Sequence, residues 1–289
     1  IVNCDSLQVY RHFDIGTAKL SRLQQRGIPH HMLDVADPGE PFTAGEYAAR
    51  ARPLLVEIAG RGRLPVVVGG TGFYLRALID GLFPGPGRDD SLRARLAARQ
   101  ARRPGSLHRV LRRLDPAAAG TIHPNDVQKT IRAVEVITLK RQPISALYAQ
   151  GRDALQGFRI LKIGLDPPRA ELFRRLDARC QEMFDLGLVE ETRRILALGY
   201  TPAAKPFESH GYRQCVDFIE TRRTLEEAIS DARQNTRRYA KRQWTWFRRE
   251  KEVLWYAGFG DDSALQQQVL DKVREFLETR RGYNQKQRE

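Results

Sequence analysis

The feature that most constrains the fold is Leu64-Pro65-Val66-Val67-Val68, which runs straight into Gly69-Gly70-Thr71-Gly72 and then Phe73-Tyr74-Leu75-Arg76-Ala77-Leu78. A continuous β-branched run is the pattern of a strand buried on both faces of a parallel sheet. The apolar stretch after the glycines reads as a helix. Strand, glycine turn and helix in this order aim backbone N–H groups and a helix N-terminus at an anion. Such turns are common, and the element gains weight from the first residues of the chain. Ile1-Val2-Asn3-Cys4 reads as a second buried strand, ending at Asp5-Ser6. In open α/β sheets ligands bind at the carboxyl ends of strands, which makes Asp5 a candidate base or metal ligand. Capping of the following turn is the competing reading of the same carboxylate.

Further along, His31-Met32-Leu33-Asp34-Val35 is a short strand candidate, and Thr43-Ala44-Gly45-Glu46 is a capping box that starts a helix reaching about Gly60. Phe83-Pro84-Gly85-Pro86-Gly87 marks a boundary. Beyond it the strand pattern stops until Phe158, and 91–103, 106–114 and 126–141 read as helices. The chain therefore divides into an α/β core, 1–89 with 158–289, and an all-helical insertion over 90–157. Phe158 to Leu165 restores a strand, halted by Asp166-Pro167-Pro168. A long helix follows with Leu172, Leu176, Cys180 and Met183 on one face, Arg175 and Arg179 beside that stripe, and a break near Gly187. Thr224-Leu225-Glu226-Glu227 caps a helix predicted to turn Leu225, Ile229, Ala232 and Thr236 inward. A strand from Val253 to Tyr256 and a helix from Ser263 to Leu277 close the fold, and the polar tail from Thr279 to Glu289 is expected to lack fixed structure.

Charge narrows the function. With 49 Lys+Arg against 35 Asp+Glu the net charge is +14, which favours a polyanionic partner. Residues 88–132 hold 11 basic and 4 acidic residues, and 233–251 hold 8 basic and 1 acidic. In Arg237-Arg238-Tyr239-Ala240-Lys241-Arg242-Gln243-Trp244-Thr245-Trp246-Phe247-Arg248-Arg249, cations alternate with aromatics, as suits phosphate contacts plus base stacking. An amphipathic helix with a solvated basic face and core tryptophans is the alternative reading. No run reaches the roughly 18 apolar residues of a membrane span, and no secretory signal is visible. The three cysteines, Cys4, Cys180 and Cys215, match no metal spacing and suit a reducing cytoplasm.

These residues resemble a known family. Asp5-Ser6-Leu7-Gln8-Val9-Tyr10, Asp14-Ile15-Gly16-Thr17-Ala18-Lys19 and Val68-Gly69-Gly70-Thr71-Gly72-Phe73-Tyr74 look like motifs of the bacterial tRNA dimethylallyltransferases. So do His123-Pro124-Asn125-Asp126, Gly211-Tyr212-Arg213-Gln214 and Lys241 to Arg248, in the family's order over nearly the whole chain. The resemblance implies a P-loop NTPase-like parallel sheet flanked by helices, with the helical insertion binding tRNA. It implies Mg²⁺-assisted transfer of the prenyl group of dimethylallyl diphosphate to N6 of the adenine 3′ of the anticodon, in a cytoplasmic monomer. It places Asp5, Thr71 and Arg179 in catalysis, and Gly70, Thr71 and Arg179 at the diphosphate. Contacts to the tRNA anticodon stem-loop are implied for Ser6, Leu7, Gln8 and Arg93, and for Gln128, Lys129, Thr130, Ile131 and Arg132. They are implied also for Ser209, His210, Gly211, Tyr212 and Arg213, and for Lys241, Arg242, Gln243, Trp244, Thr245, Trp246, Phe247 and Arg248. The metal ligands are not identified.

One part of the family pattern is missing. No G-x-x-x-x-G-K-[ST] phosphate loop occurs in the 289 residues, and the chain starts without Met inside a strand. An upstream strand and loop are expected, and the 289 residues alone are expected to bind diphosphate poorly. An adenylate isopentenyltransferase acting on a free nucleotide and a P-loop nucleotide kinase share such a core, but neither needs two basic segments. A non-catalytic RNA-binding protein without the loop is the reading from outside enzymology.

Overall fold

The computed structural model describes residues 1–285 in a mixed α/β, helix-rich fold. The elements begin with β1 (Val2–Asn3), α1 (Ala44–Gly60), β2 (Val67–Val68) and α2 (Gly72–Ile79). Five helices follow: α3 (Asp90–Arg102), α4 (Ser106–Leu114), α5 (Pro116–Thr121), α6 (Val127–Lys140) and α7 (Ile144–Ala149). Then come β3 (Lys162–Leu165), α8 (Arg169–Asp185), α9 (Leu188–Ala197), a 3₁₀ turn at Lys205–Glu208, and α10 (Tyr212–Ile219). The chain ends with α11 (Leu225–Phe247), β4 (Val253–Tyr256) and α12 (Ser263–Gln285). It forms two compact units, one of Ile1–Leu75 with the chain from Gly157 onward, the other of Arg76–Gln156. The division precedes the Phe83 to Gly87 segment, because Phe83 packs on the core of the second unit. Among the described residues no helix is long and apolar enough to cross a membrane.

In the first unit β1 and β2 pair in parallel, with Val2 opposite Val67 and Asn3 opposite Val68. The other edge of β1 takes the His31 backbone, with Asn3 N donating to His31 O at 3.0 Å and His31 N to Ile1 O at 2.9 Å. That contact is one bridge, not the strand expected over His31–Val35, because Met32 and Asp34 adopt left-handed φ values of 63° and 57°. β3 and β4 form a separate parallel ladder from Lys162↔Val253 to Leu165↔Tyr256. The sheet is therefore two short ladders. Val66 and Val68 stay 43% and 52% exposed, so the run expected to be buried on both faces is covered on one. Leu225, expected inward, is 41% exposed in the first turn of α11, ahead of the buried Ala228 and Ala232. α12 continues past Leu277 to Gln285, into the tail expected to lack structure; 286–289 lie outside the described residues.

Two polar devices fix the connection after β1. Lys19, its side chain 5% exposed, places Nζ 2.7 Å from both Asp14 and Asp34 and 2.9 Å from Tyr10 O. Glu191 is buried and accepts from Ile15 N at 3.0 Å and from the Tyr212 hydroxyl, which itself accepts from Gly16 N at 3.1 Å. A Cβ on Gly16 would stand 2.4 Å from the Tyr212 ring, so only glycine fits there. Burial and the Glu191 charge hold the Tyr212 proton on its oxygen.

The second unit is all helical around Leu92, Leu96, Leu107, Leu111, Ile131 and Val134. Two of its helices, α5 and α7, lie outside the stretches that the sequence pattern marks as helical. Asp115 joins them: it caps Ala118 N at 2.9 Å, with Pro116 in the first turn, and accepts from Ser145 N and Oγ at 2.8 Å each. The deepest charge is Glu135, 0% exposed. It accepts Arg93 through Nε and a terminal nitrogen at 2.8 and 2.9 Å, Arg132 at 2.7 Å, and Asp89 N at 2.9 Å. Burial alone would raise its pKa, but the hydrogen bonds from Arg93, Asp89 N and Arg132 outweigh it and hold the carboxyl at about 2.

Glu135→Gln should therefore destabilise this unit by about 3 kcal/mol at pH 7, the cost of breaking a buried ion pair. Because the folded pKa is depressed, the contribution is present above the usual Glu value and fades as pH falls towards about 2. Urea unfolding of both chains at pH 7 and pH 3 should show the gap between them narrow by about half on acidification.

Candidate active site

The site is built where β1 ends against the glycine turn. Cys4 N donates to Val68 O at 2.7 Å, and Thr71 N donates to Cys4 O at 3.2 Å. This crossing brings backbone onto backbone: a Cβ on Gly69 would lie 2.3 Å from the Cys4 oxygen. From the other side α11 closes in. A Cβ on Gly70 would lie 2.1 Å from Nε2 of Gln243, and one on Gly72 would lie 2.1 Å from Nε1 of Trp246. Glycine is required here by close approach. The Thr71 N–H is already engaged, so any anion at this turn must use other donors.

Asp5 lies at the end of β1 and is half-buried. Its Oδ1 accepts from Leu7 N at 2.8 Å and Gln8 N at 3.4 Å, so the carboxylate does cap the following turn. Among the described residues no hydrogen bond engages Oδ2. Thr71 Oγ1 accepts from Ser6 N at 3.0 Å and donates to Ser6 Oγ at 3.3 Å. Gln8 Nε2 donates to Thr17 O at 3.0 Å, tying the Ser6–Gln8 turn to the segment pinned by Glu191. Beneath it burial pushes the Cys4 thiol up to about 11.

α11 adds a group that sequence reasoning missed. The half-buried Tyr239 side chain lies beside Thr71 and Gln243. Burial first, and then the Asp5 charge, raise the Tyr239 pKa against the opposing pull of Thr71, Gln243 and Arg242. Gln243 Nε2 donates to Gly70 O at 2.9 Å. The His210 ring lies 5.4 Å from that of Tyr239 at 58°, and the Arg242 guanidinium lies 5.5 Å over the same ring. Burial and Arg242 together lower the His210 pKa. Tyr239 stands one helical turn before Gln243, and that spacing was the available signal. Its place among cations and tryptophans instead suggested an RNA-stacking surface.

Several expected contacts are engaged elsewhere. Thr130, Ile131 and Tyr212 are buried at 2%, 5% and 0% exposure, so their side chains are packing, not surface for tRNA. Arg93 and Arg132 serve Glu135, because a buried carboxylate requires cations. Gln243 faces Gly70 instead of solvent. Trp244 lies between Arg169 and Arg248 and donates to Asp166 at 2.9 Å, while Arg248 pairs with Asp166. Trp246 and Phe247 are half-buried. Gly211, with φ 91°, starts α10, and Gln214 takes its N–H at 2.9 Å. Ser209 Oγ donates to Pro206 O at 2.5 Å. Gln128, Lys129, Arg213, Lys241, Arg242 and Thr245 are exposed. Arg179 is exposed on α8, and no hydrogen bond or ion pair joins it to Asp5, Ser6 or Thr71. Among the described residues no group of three or more His, Cys, Asp or Glu comes together to hold a metal. Mg²⁺ needs only one or two carboxylates together with substrate phosphates, and the site offers one carboxylate, Asp5.

Comparison with known proteins is consistent along the chain. The family described as IPP transferase matches residues 8–250. A tRNA dimethylallyltransferase of Solibacter usitatus is 60% identical over 96% of this chain and 90% of that protein. One of Koribacter versatilis is 54% identical over 95% and 89%. The crystal structure of a Bacillus halodurans tRNA isopentenylpyrophosphate transferase superposes with a TM-score of 0.69 at 35% identity, covering 98% of this chain and 89% of the other. A eukaryotic dimethylallyltransferase acting on tRNA superposes with a TM-score of 0.81 at 25% identity, covering 96% and 73%. The chain belongs to the IPP transferase family.

Proposed function

We propose that this chain transfers the dimethylallyl group of dimethylallyl diphosphate to N6 of the adenine 3′ of the anticodon in tRNA. The observation that carries this reading is Asp5, held at a strand end by one carboxylate oxygen while the other makes no hydrogen bond among the described residues, beside Thr71. N6 attacks C1 of the donor, the C1–O bond breaks, diphosphate leaves, and Asp5 Oδ2 takes the N6 proton. An exocyclic amine is a poor nucleophile, so a positioned proton acceptor is what the reaction needs. The Thr71 hydroxyl lies between the two substrates, and Ser6, Leu7 and Gln8 follow the flipped base. Gly70, Thr71 and Arg179 face the diphosphate, whose growing charge calls for preorganised donors and cations. Mg²⁺ bound with the diphosphate would neutralise part of the charge on the leaving group. The parallel ladders belong to a P-loop NTPase-like sheet, and 90–157 is an insertion that binds tRNA. Free, buried thiols at Cys4, Cys180 and Cys215 suit a reducing cytoplasm, and the proposed enzyme works as a monomer.

The polyanion is gripped by the arginines that the ion pairs leave over. From Ser91 to Leu114 the sequence holds no Asp or Glu. With Arg93 engaged, Arg95, Arg99, Arg102 and Arg103 of α3 and its end, and Arg109, Arg112 and Arg113 of α4, remain exposed. On α11 the cations that remain are Arg238, Lys241 and Arg242, exposed and without a carboxylate partner among the described residues. Phosphate contacts of this kind offset the few kcal/mol that extruding a base costs.

Asp5→Asn keeps an oxygen for Leu7 N and so preserves the turn. In the full chain it should bind tRNA normally yet lose about 10²–10⁴-fold in kcat; wild-type turnover would remove Asp5 from the mechanism. Arg179→Ala should raise KM for the prenyl donor with tRNA Kd unchanged, and collapse of tRNA binding with intact donor kinetics would move Arg179 to the RNA surface. Two further variants, Lys241→Ala/Arg242→Ala and Arg109→Ala/Arg112→Ala/Arg113→Ala, should each flatten the plot of log K against log salt. The slope should fall by about 0.7–0.9 for each phosphate that the variant no longer neutralises. Unchanged slopes in both would favour transfer to a free nucleotide.

A further inference from the structure

α11 carries two faces with different duties. Gln243 and Trp246, one turn apart, meet the glycine turn at Gly70 and Gly72, each so closely that a Cβ on the glycine would stand 2.1 Å from the side-chain nitrogen. Lys241, Arg242 and Thr245 are exposed. One rigid element thus presents cations outward and touches the site turn inward.

We infer that Gln243 is a positioning residue for the prenyl transfer proposed above, acting on Thr71 through the Gly70–Thr71 peptide. That peptide is held at both ends. Its carbonyl, Gly70 O, accepts from Gln243 Nε2 at 2.9 Å, and its N–H, on Thr71, donates to Cys4 O at 3.2 Å. The two groups point in opposite directions from one planar trans unit, so α11 and the end of β1 grip it from opposite sides. A carbonyl only accepts, which fixes the Gln243 amide with its nitrogen towards the turn. The grip matters because the residue before Thr71 is glycine. Gly70 has little steric preference of its own, and rotation there would swing the peptide at small cost. A side chain at 70 would limit that rotation, but Gln243 takes up its place. Gln243 therefore supplies the restraint that the missing side chain cannot. Thr71 Oγ1 in turn accepts from Ser6 N at 3.0 Å and donates to Ser6 Oγ at 3.3 Å, so a shift of the peptide draws the hydroxyl away from the residue that follows Asp5.

The test uses the full chain with Gln243→Met, which keeps the length of the side chain and loses the donor, and with Gln243→Glu. Residue-resolved hydrogen exchange of the Thr71 N–H reads the grip without any activity. It should speed up about tenfold in Gln243→Met, the loss of roughly one net hydrogen bond, with the melting temperature unchanged. With tRNA and dimethylallyl diphosphate, kcat should fall by about the same factor while KM for tRNA stays as in wild type. In Gln243→Glu a carboxylate faces Gly70 O with nothing to donate, whereas the protonated carboxyl has an O–H for it. The kcat of Gln243→Glu relative to wild type should therefore rise as pH falls from about 8 to about 6, and that of Gln243→Met should stay flat. Taking the ratio cancels the titrations that both chains share around this turn: Asp5 and Cys4 at the end of β1, Tyr239 with Arg242 over its ring on α11, and His210 against Tyr239. Wild-type kcat or unchanged Thr71 exchange in Gln243→Met, or a flat ratio for Gln243→Glu, would overturn the inference. A lowered melting temperature that accounts for the whole rate loss would make Gln243 merely structural and would overturn it too. If the wild-type chain transfers no prenyl group to tRNA, the proposed reaction fails, and the exchange of Thr71 still decides whether Gln243 holds the peptide. Unchanged exchange in an active enzyme sinks only the Gln243 assignment.

Discussion

The contact on which the site depends is the approach of the Gly69 backbone to the Cys4 carbonyl. With no Cβ at Gly69, Thr71 N reaches Cys4 O, and the turn crosses the end of β1. That crossing puts Thr71 Oγ1 within 3.0 Å of Ser6 N, and so puts a hydroxyl beside the residue that follows Asp5. A methyl group at Gly69 would displace backbone, which cannot rotate away as a side chain can. The β1–β2 ladder is only two residues long, so regular pairing contributes little to this geometry. The crossing and α11 hold it.

Charge on this chain has two populations. One part is structural: Arg93 and Arg132 on Glu135, Arg237 on Asp177, Arg248 on Asp166, and Lys19 between Asp14 and Asp34. These pairs sit where helices and turns must be joined, and the buried ones cannot be withdrawn without leaving a bare charge. The other part is solvated and clustered on α3, α4 and the outer face of α11. Net charge counts both together. A polyanion meets only the second.

This division explains what the sequence made legible. The strand–glycine turn–helix order, the Thr43 and Thr224 caps and helices α3, α4 and α6 of the second unit follow from local pattern, and the structure has them. Asp5 at the end of a strand was readable because strand ends are positions, and positions follow from order along the chain. Partner choice was not readable. Arg93 reaches Glu135 across 42 residues and Gln243 reaches Gly70 across 173, and neither spacing has a local signature. The failed strand at His31–Val35 belongs to the same class, since left-handed φ at Met32 and Asp34 answers to contacts made by Lys19 and Asn3. Glycines were read correctly as a turn, but the close approach of Gln243 and Trp246 to Gly70 and Gly72 has no signature in the local sequence.

The two faces of α11 also constrain how the site and the RNA surface relate within the first unit. Lys241 and Arg242 follow Tyr239 by two and three residues, and Gln243 is the next residue. A helix this regular cannot shift its cations without shifting the side chains that hold the turn, because rise and rotation are fixed per residue. Its position is set from α8 by the Arg237–Asp177 pair, the Arg233–Gln181 hydrogen bond and the Lys241 ammonium over Phe173. The same helix is therefore clamped on α8 and on the glycine turn, with its exposed cations between those anchors. A phosphate that draws on Lys241 or Arg242 pulls on an element already fixed at both places, so the site geometry belongs to the fold and is in place before the substrate arrives.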